Sequence, residues 1–120
     1  MKANGKNLKM FIYQTHDYMD MKPETSFRTA ESQEVMNQYV THMRTWWSGG
    51  TVSDATEVSP AEYFKARQSD YWKGYEFQLD ELALDCSQEW LDEYIKLVGP
   101  AFEDSMHQLD VANDYADKEY

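Results

Sequence analysis

Apolar positions along much of this chain recur at spacings of three and four. In "TAESQEVMNQYVTHMRTWWSGG", Val35, Met36, Tyr39, Val40, Met43, Trp46 and Trp47 lie on one stripe of a helix. Thr29 is placed to cap its start, Glu31 and Glu34 suit the first turns, and Gly49-Gly50 closes it. "SPAE" is the clearest local signal: Ser59 as N-cap, Pro60 at the first helical position and Glu62 at the third form a capping box. A helix therefore starts at Pro60 and runs to about Trp72. Tyr75, Leu79, Leu82, Cys86, Trp90, Tyr94 and Val98 then step by three or four, which predicts one continuous helix ended by Gly99. Pro100 opens a last helix with Phe102, Met106, Leu109, Ala112 and Ala116 on its stripe. Ahead of these, the close-packed β-branched and aromatic residues of Leu8–Tyr18 read as a strand. "MKPETSFRT" is broken by Pro23 and its Ser/Thr residues, and "TVSDATEV" reads as a loop. The first nine residues are polar, basic and expected to be loose. The sum is a mainly α fold: a single domain over 1–120 with four helices and at most one short N-terminal strand.

Composition adds bounds. With 42% hydrophobic and 15% aromatic residues, the chain of 120 residues is too apolar to stay disordered. No stretch is apolar and long enough for a signal peptide or a membrane span, so no membrane partner is expected. Cys86 is the only cysteine, which excludes an internal disulfide and suits a reducing cytoplasm.

Charge changes the picture more. Residues 1–73 hold nine Asp/Glu and nine Lys/Arg, whereas residues 74–120 hold thirteen Asp/Glu and two lysines. The net charge of −11 therefore belongs to the second half, a strongly acidic segment read as helical. Phosphates would be repelled there, so nucleic acid is not expected as a direct partner; a basic protein surface is.

Catalytic signatures are weak. His16-Asp17 resembles the dipeptide of metal-dependent HD phosphohydrolases, but only fifteen residues precede it and the segment reads as extended. Glu103, His107 and Asp110 share one face of the last helix, without a recognisable second ligand-bearing helix. A small metal-dependent hydrolase built on His16, Asp17 and His107, with His42, is the alternative reading. Cys86 falls on an apolar stripe, where a thiol is ordinarily inert core. No glycine-rich phosphate loop is present. The expectation is a non-enzyme with no cofactor and no metal. Trp46 and Trp47 are about 100° apart on their helix, so one of them is expected at the margin of the core, placed to anchor an interface.

The acidic residues follow a pattern. Glu81, Asp85, Glu89 and Asp92 or Glu93 stand three or four residues apart, a line rising about 6 Å per step on one continuous helix. Like charges so placed cost a few tenths of a kcal/mol per pair, a cost that a merely solubilising face avoids by alternating sign. The step is close to two nucleotide rises of about 3.4 Å, so such a row presents charge much as phosphates do. The expected partner-binding set is Glu76, Asp80, Glu81, Asp85, Glu89, Asp92, Glu93, Glu103, Asp104, Asp110 and Asp114, with Trp46 and Trp47 at its margin. The other reading of the acidic face is a structural or adaptor subunit that it keeps in solution.

With "YEFQLDELALDCSQEWLDEY" and "LDVANDYADKEY", the chain resembles the small acidic inhibitors encoded by bacteriophages and mobile elements, among them DNA-mimic anti-restriction and anti-CRISPR proteins. The likeness is one of class, covers residues 74–120, and assigns no residue roles. It implies a non-catalytic protein of the host cytoplasm, often dimeric, that occupies the basic site of a nuclease, restriction complex or CRISPR effector. The charge balance of residues 1–73 departs from the most uniformly acidic members and favours a mixed protein–protein interface.

Overall fold

The apolar run at Met10 forms the central strand of an antiparallel sheet. A computed structural model describes residues 1–19, 22–69 and 81–99. Strand β1 (Lys9–Asp17) pairs along one edge with β2 (Glu24–Ala30), from Lys9 opposite Ala30 to Thr15 opposite Glu24. Its other edge takes β3 (Gly50–Val52) and β4 (Thr56–Glu57). Met10 and Phe11 are neighbours that point to opposite faces, and both are fully buried. A strand covered on both faces reads as a continuous apolar run rather than an alternation, which is why "MFIY" stands out.

Helix α1 (Gln33–Trp46) covers one face, where Met36 and Val40 pack with Phe11, Tyr13, Val52 and Ala55. The other face carries α2 (Pro60–Ser69), α3 (Glu81–Asp85) and α4 (residues 88–99). There Met10, Val58, Tyr63, Cys86, Leu91, Tyr94 and Val98 form a second core, with Ile12 and Phe27 packed against it. Each fully buried large side chain of these cores contributes roughly 1.5–3 kcal/mol relative to exposure.

This architecture overturns the mainly α expectation: a four-stranded antiparallel sheet with helices on both faces is a mixed α/β fold. The two segments read as irregular are strands. In β2, Phe27 is the one large apolar residue, and pairing with β1 rather than an apolar pattern makes it a strand. Between Thr15–Val52 and Ile12–Thr56, two residues of β1 face three of the other chain segment, so Ser53–Ala55 contain a bulge. The bulge explains why Val52 and Ala55 are buried on the same face although three positions apart, while Val58, three further on, is buried on the other face by ordinary alternation. Its polar groups are satisfied from both sides. Gln14 N–H donates to Ser53 Oγ (2.7 Å), and Ser53 N–H to the Gln14 carbonyl (2.8 Å). Arg44 Nη2 donates to Val52 O (2.6 Å) and Asp54 Oδ1 (3.1 Å), and Gln33 Nε2 to Ala55 O (2.9 Å).

The helix starts follow local chemistry. At α2 the capping box forms as read: Glu62 N–H donates to Ser59 Oγ, and Ser59 N–H to Glu62 Oε1, each at 3.2 Å. At α1 the cap is Ser32, whose Oγ accepts from Val35 N–H, because Thr29 is taken up by β2. Gly50 opens β3 instead of closing α1. A Cβ there would overlap the His16 carbonyl and come within 2.8 Å of the Trp47 ring.

Two further expectations fail. The predicted long helix breaks within its described part. Cys86 leaves the helix to bridge Leu8 in parallel pairing, and Ser87 caps a new helix by accepting from Trp90 N–H (3.2 Å). The first residues, expected to be loose, are tied down beside that break. Asn4 N–H donates to Leu84 O (2.7 Å) and Leu8 N–H to Asp85 O (3.0 Å); Ala3 N–H reaches Gln88 Oε1 (2.8 Å). The last predicted helix, from Pro100 onward, lies outside the described residues.

Candidate functional site

The helical break divides the acidic line. Glu81 is exposed on α3, whereas Asp85 is half-buried and held: its Oδ1 accepts from Asn4 Nδ2 (2.9 Å) and its Oδ2 pairs with Lys6 Nζ (3.4 Å). Asp85 thus ties down the N-terminal segment rather than facing outward. Glu89, Asp92 and Glu93 share the exposed side of α4, while Leu91, Tyr94 and Val98 on its inner side are buried. The continuous row of carboxylates is therefore replaced by a short ridge on α4. Among the described residues the ion pairs are Lys6–Asp85, Lys9–Glu57 and Arg44–Asp54, and none draws on that ridge. Asp92 Oδ1 does accept from Gln88 Nε2 (2.9 Å). Glu76, Asp80, Glu103, Asp104, Asp110 and Asp114 lie outside the described residues.

The tryptophans separate. Trp46 is 61% exposed and Trp47 is half-buried over Gly50, so one of the pair does stand at the core margin. Both belong to the α1 layer, across the sheet from α4, and do not border the acidic ridge. His16 and His42 do not converge either, since His16 lies in β1 on the face opposite α1, and His42 is an exposed residue of α1. Asp17 Oδ1 accepts from Met19 N–H (2.9 Å). Among the described residues no three His, Cys, Asp or Glu side chains form a group able to hold a metal, and His107 lies outside them.

What the fold does assemble is a pair of clefts meeting at Trp90. One, of about 500 Å³, lies between β4, the start of α2 and the start of α4, and is lined by Lys9, Glu57, Ser59, Glu62 and Trp90 among others. The second, also about 500 Å³, runs along α4 and is lined by Ser87, Glu89, Trp90, Asp92, Glu93 and Lys96. Trp90 is fixed between them. Its ring stacks on Tyr94 (centroids 5.5 Å apart, 22° between planes) and meets Tyr63 edge-on at 5.4 Å; its Nε1–H donates to Val58 O (3.3 Å). Tyr63 is fully buried at the hub, also meeting Phe27 at 4.9 Å and Tyr94 at 5.3 Å.

Chemically this surface offers acceptors and an aromatic ring. The hydroxyls of Ser59 and Ser87 are engaged as helix caps, and no histidine lines either cleft. Trp90, Glu57 and Glu62 lie outside the partner-binding set expected from sequence, where Glu62 reads only as part of a helix cap. Trp90 sits on an apolar stripe and reads as core, and no linear signal brings Glu57 next to α4. No protein-family model, no curated protein and no solved structure matches the chain.

Proposed function

We propose that this protein is an acidic interaction module, without catalytic activity of its own. It binds and inhibits a basic, nucleic-acid-handling protein of the nuclease, restriction or CRISPR-effector kind. The observation that carries the reading is the outward ridge of Glu89, Asp92 and Glu93 on α4, exposed and outside the ion pairs among the described residues. A protein with a net charge of −11 draws a basic partner from beyond contact distance, and a ridge of carboxylates on one helix face sets the register of docking. Direct nucleic-acid binding would work against the same field. Because Asp85 is engaged with Asn4 and Lys6, the acidic contact centres on α4, and a long phosphate-like row is no part of the reading.

The test is affinity capture on immobilised protein, comparing wild type with the triple variant Glu89→Gln, Asp92→Asn, Glu93→Gln at low and high salt. Wild type should retain a basic protein at low salt that double-stranded DNA elutes and high salt weakens, since the Debye length shrinks to about 3 Å at 1 M. The triple variant should lose it. Retention of the same protein by both forms at both salts would reduce the ridge to a solvated surface.

A further inference from the structure

Trp90 and the two clefts that meet at it point to a more specific partner chemistry. We propose that they form a recognition groove for an arginine-bearing segment of the basic partner, with one guanidinium over the indole of Trp90; this rests on the interaction-module reading above. Several observations lead there. Trp90 lines both clefts and is half-exposed, while Tyr94, stacked against its ring, Tyr63 and the Val58 carbonyl hold it in one orientation. An aromatic face fixed before binding loses little side-chain freedom on contact. Carboxylates lie to either side: Glu57 and Glu62 in one cleft, Glu89, Asp92 and Glu93 in the other. Against these five stand two lysines, Lys9, held to Glu57 at 3.8 Å, and Lys96.

The combination selects arginine over lysine for a physical reason. A guanidinium is planar, stacks on an indole while its edge donates to carboxylates, and sheds water more readily than an ammonium. A carboxylate surface without the ring would take either cation as a point charge. The clefts, at about 500 Å³ each, fall in the size range of sites that enclose side chains or small ligands. The groove thus explains why Trp90 is kept half-exposed beside the acidic ridge while Cys86, Tyr94 and Val98 on the same stripe are buried.

The probes are three synthetic peptides in which glycines separate three arginines, three lysines or three citrullines. Binding is followed through the indole N–H signals of the ¹⁵N-labelled protein, with the Trp90 signal identified as the one missing from Trp90→Phe. The arginine peptide should move the Trp90 signal saturably and bind about three- to tenfold more tightly than the lysine peptide, the increment a stacked guanidinium supplies. Citrulline, planar but uncharged, should bind far more weakly. In Trp90→Phe, which keeps a ring against Tyr63 and Tyr94, the preference for arginine should narrow. The comparison of arginine with lysine on the wild-type chain needs no variant. Equal affinity for both cationic peptides with the Trp90 signal unmoved would overturn the groove and leave the acidic-module reading intact. Loss of partner capture in the triple acidic variant is the separate test on which that broader reading stands or falls.

Discussion

On one face of the sheet a single helix of 14 residues supplies the described layer; on the other, a ten-residue α2, a five-residue α3 and α4 share it. The α1 face is filled by Met36, Val40, Val52 and two alanines around Phe11 and Tyr13. The opposite face is organised around Tyr63, which meets Phe27, Trp90 and Tyr94 within about 5.5 Å. One long helix carries its own register and buries the aliphatic Met36 and Val40, with Tyr39, Met43 and Trp47 packed around them. Short pieces carry no register of their own, and large rings that contact several elements at once hold them in place. The acidic ridge and both clefts belong to this second face, so its assembly fixes the candidate site.

That contrast is open to direct attack, most severely through Tyr63. Tyr63→Ala should cost about 3–5 kcal/mol, the range for a large buried aromatic, and should disorganise α2 and α4 together. Met36→Ala, equally buried on the α1 face, should cost about 2–5 kcal/mol and leave the Trp90 environment unchanged. Urea denaturation gives the energies, and the Trp90 indole signal reports on the site. A perturbed Trp90 in Met36→Ala would mean that the two faces do not act separately.

A smaller effect is expected at the helical break. Ser87→Ala removes the cap of α4 and should cost about 1 kcal/mol, as should Ser32→Ala at α1. The two should differ in reach. Asn4 and Leu8 bond to Leu84 and Asp85 just before the break, so Ser87→Ala should speed hydrogen exchange at the Asn4 and Leu8 amides, and Ser32→Ala should not. Identical exchange in both variants would show that the N-terminal segment is held independently of the cap.

The smallest expected effect concerns alkaline pH on the α1 face. Burial pushes the Tyr13 hydroxyl above its ordinary value of 10.0, aided by neighbouring Tyr39 and opposed by Arg28, whose guanidinium lies 3.7 Å from the Tyr39 ring centre. The folded chain holds this proton more tightly than the unfolded chain. The stability so contributed is complete below about pH 10 and is lost as pH rises through the raised value. Melting temperatures between pH 8 and 11 should therefore fall less steeply for Tyr13→Phe than for wild type. Parallel curves would remove Tyr13 as the source.

Sequence by itself determined the elements whose signals are local. The Ser59–Glu62 capping box, the α1 stripe from Met36 to Trp47 and the β1 run from Met10 to Tyr13 each depend on residues within a few positions of one another. The segregation of charge into residues 74–120 needs no structure at all. Tertiary structure decided the rest because long-range pairing overrode local pattern. β2 is a strand because β1 offers it seven partners; the bulge at Ser53–Ala55 is held because Arg44 and Gln33 of α1 bond the Val52 and Ala55 carbonyls at its two ends; and the helix breaks at Cys86 because Leu8 arrives there to pair. The last of these takes Asp85 out of the acidic face and leaves Trp90 at the start of a new helix, next to Glu57 and Glu62. Those contacts span roughly thirty to eighty positions of chain, and no periodicity of three or four residues encodes them.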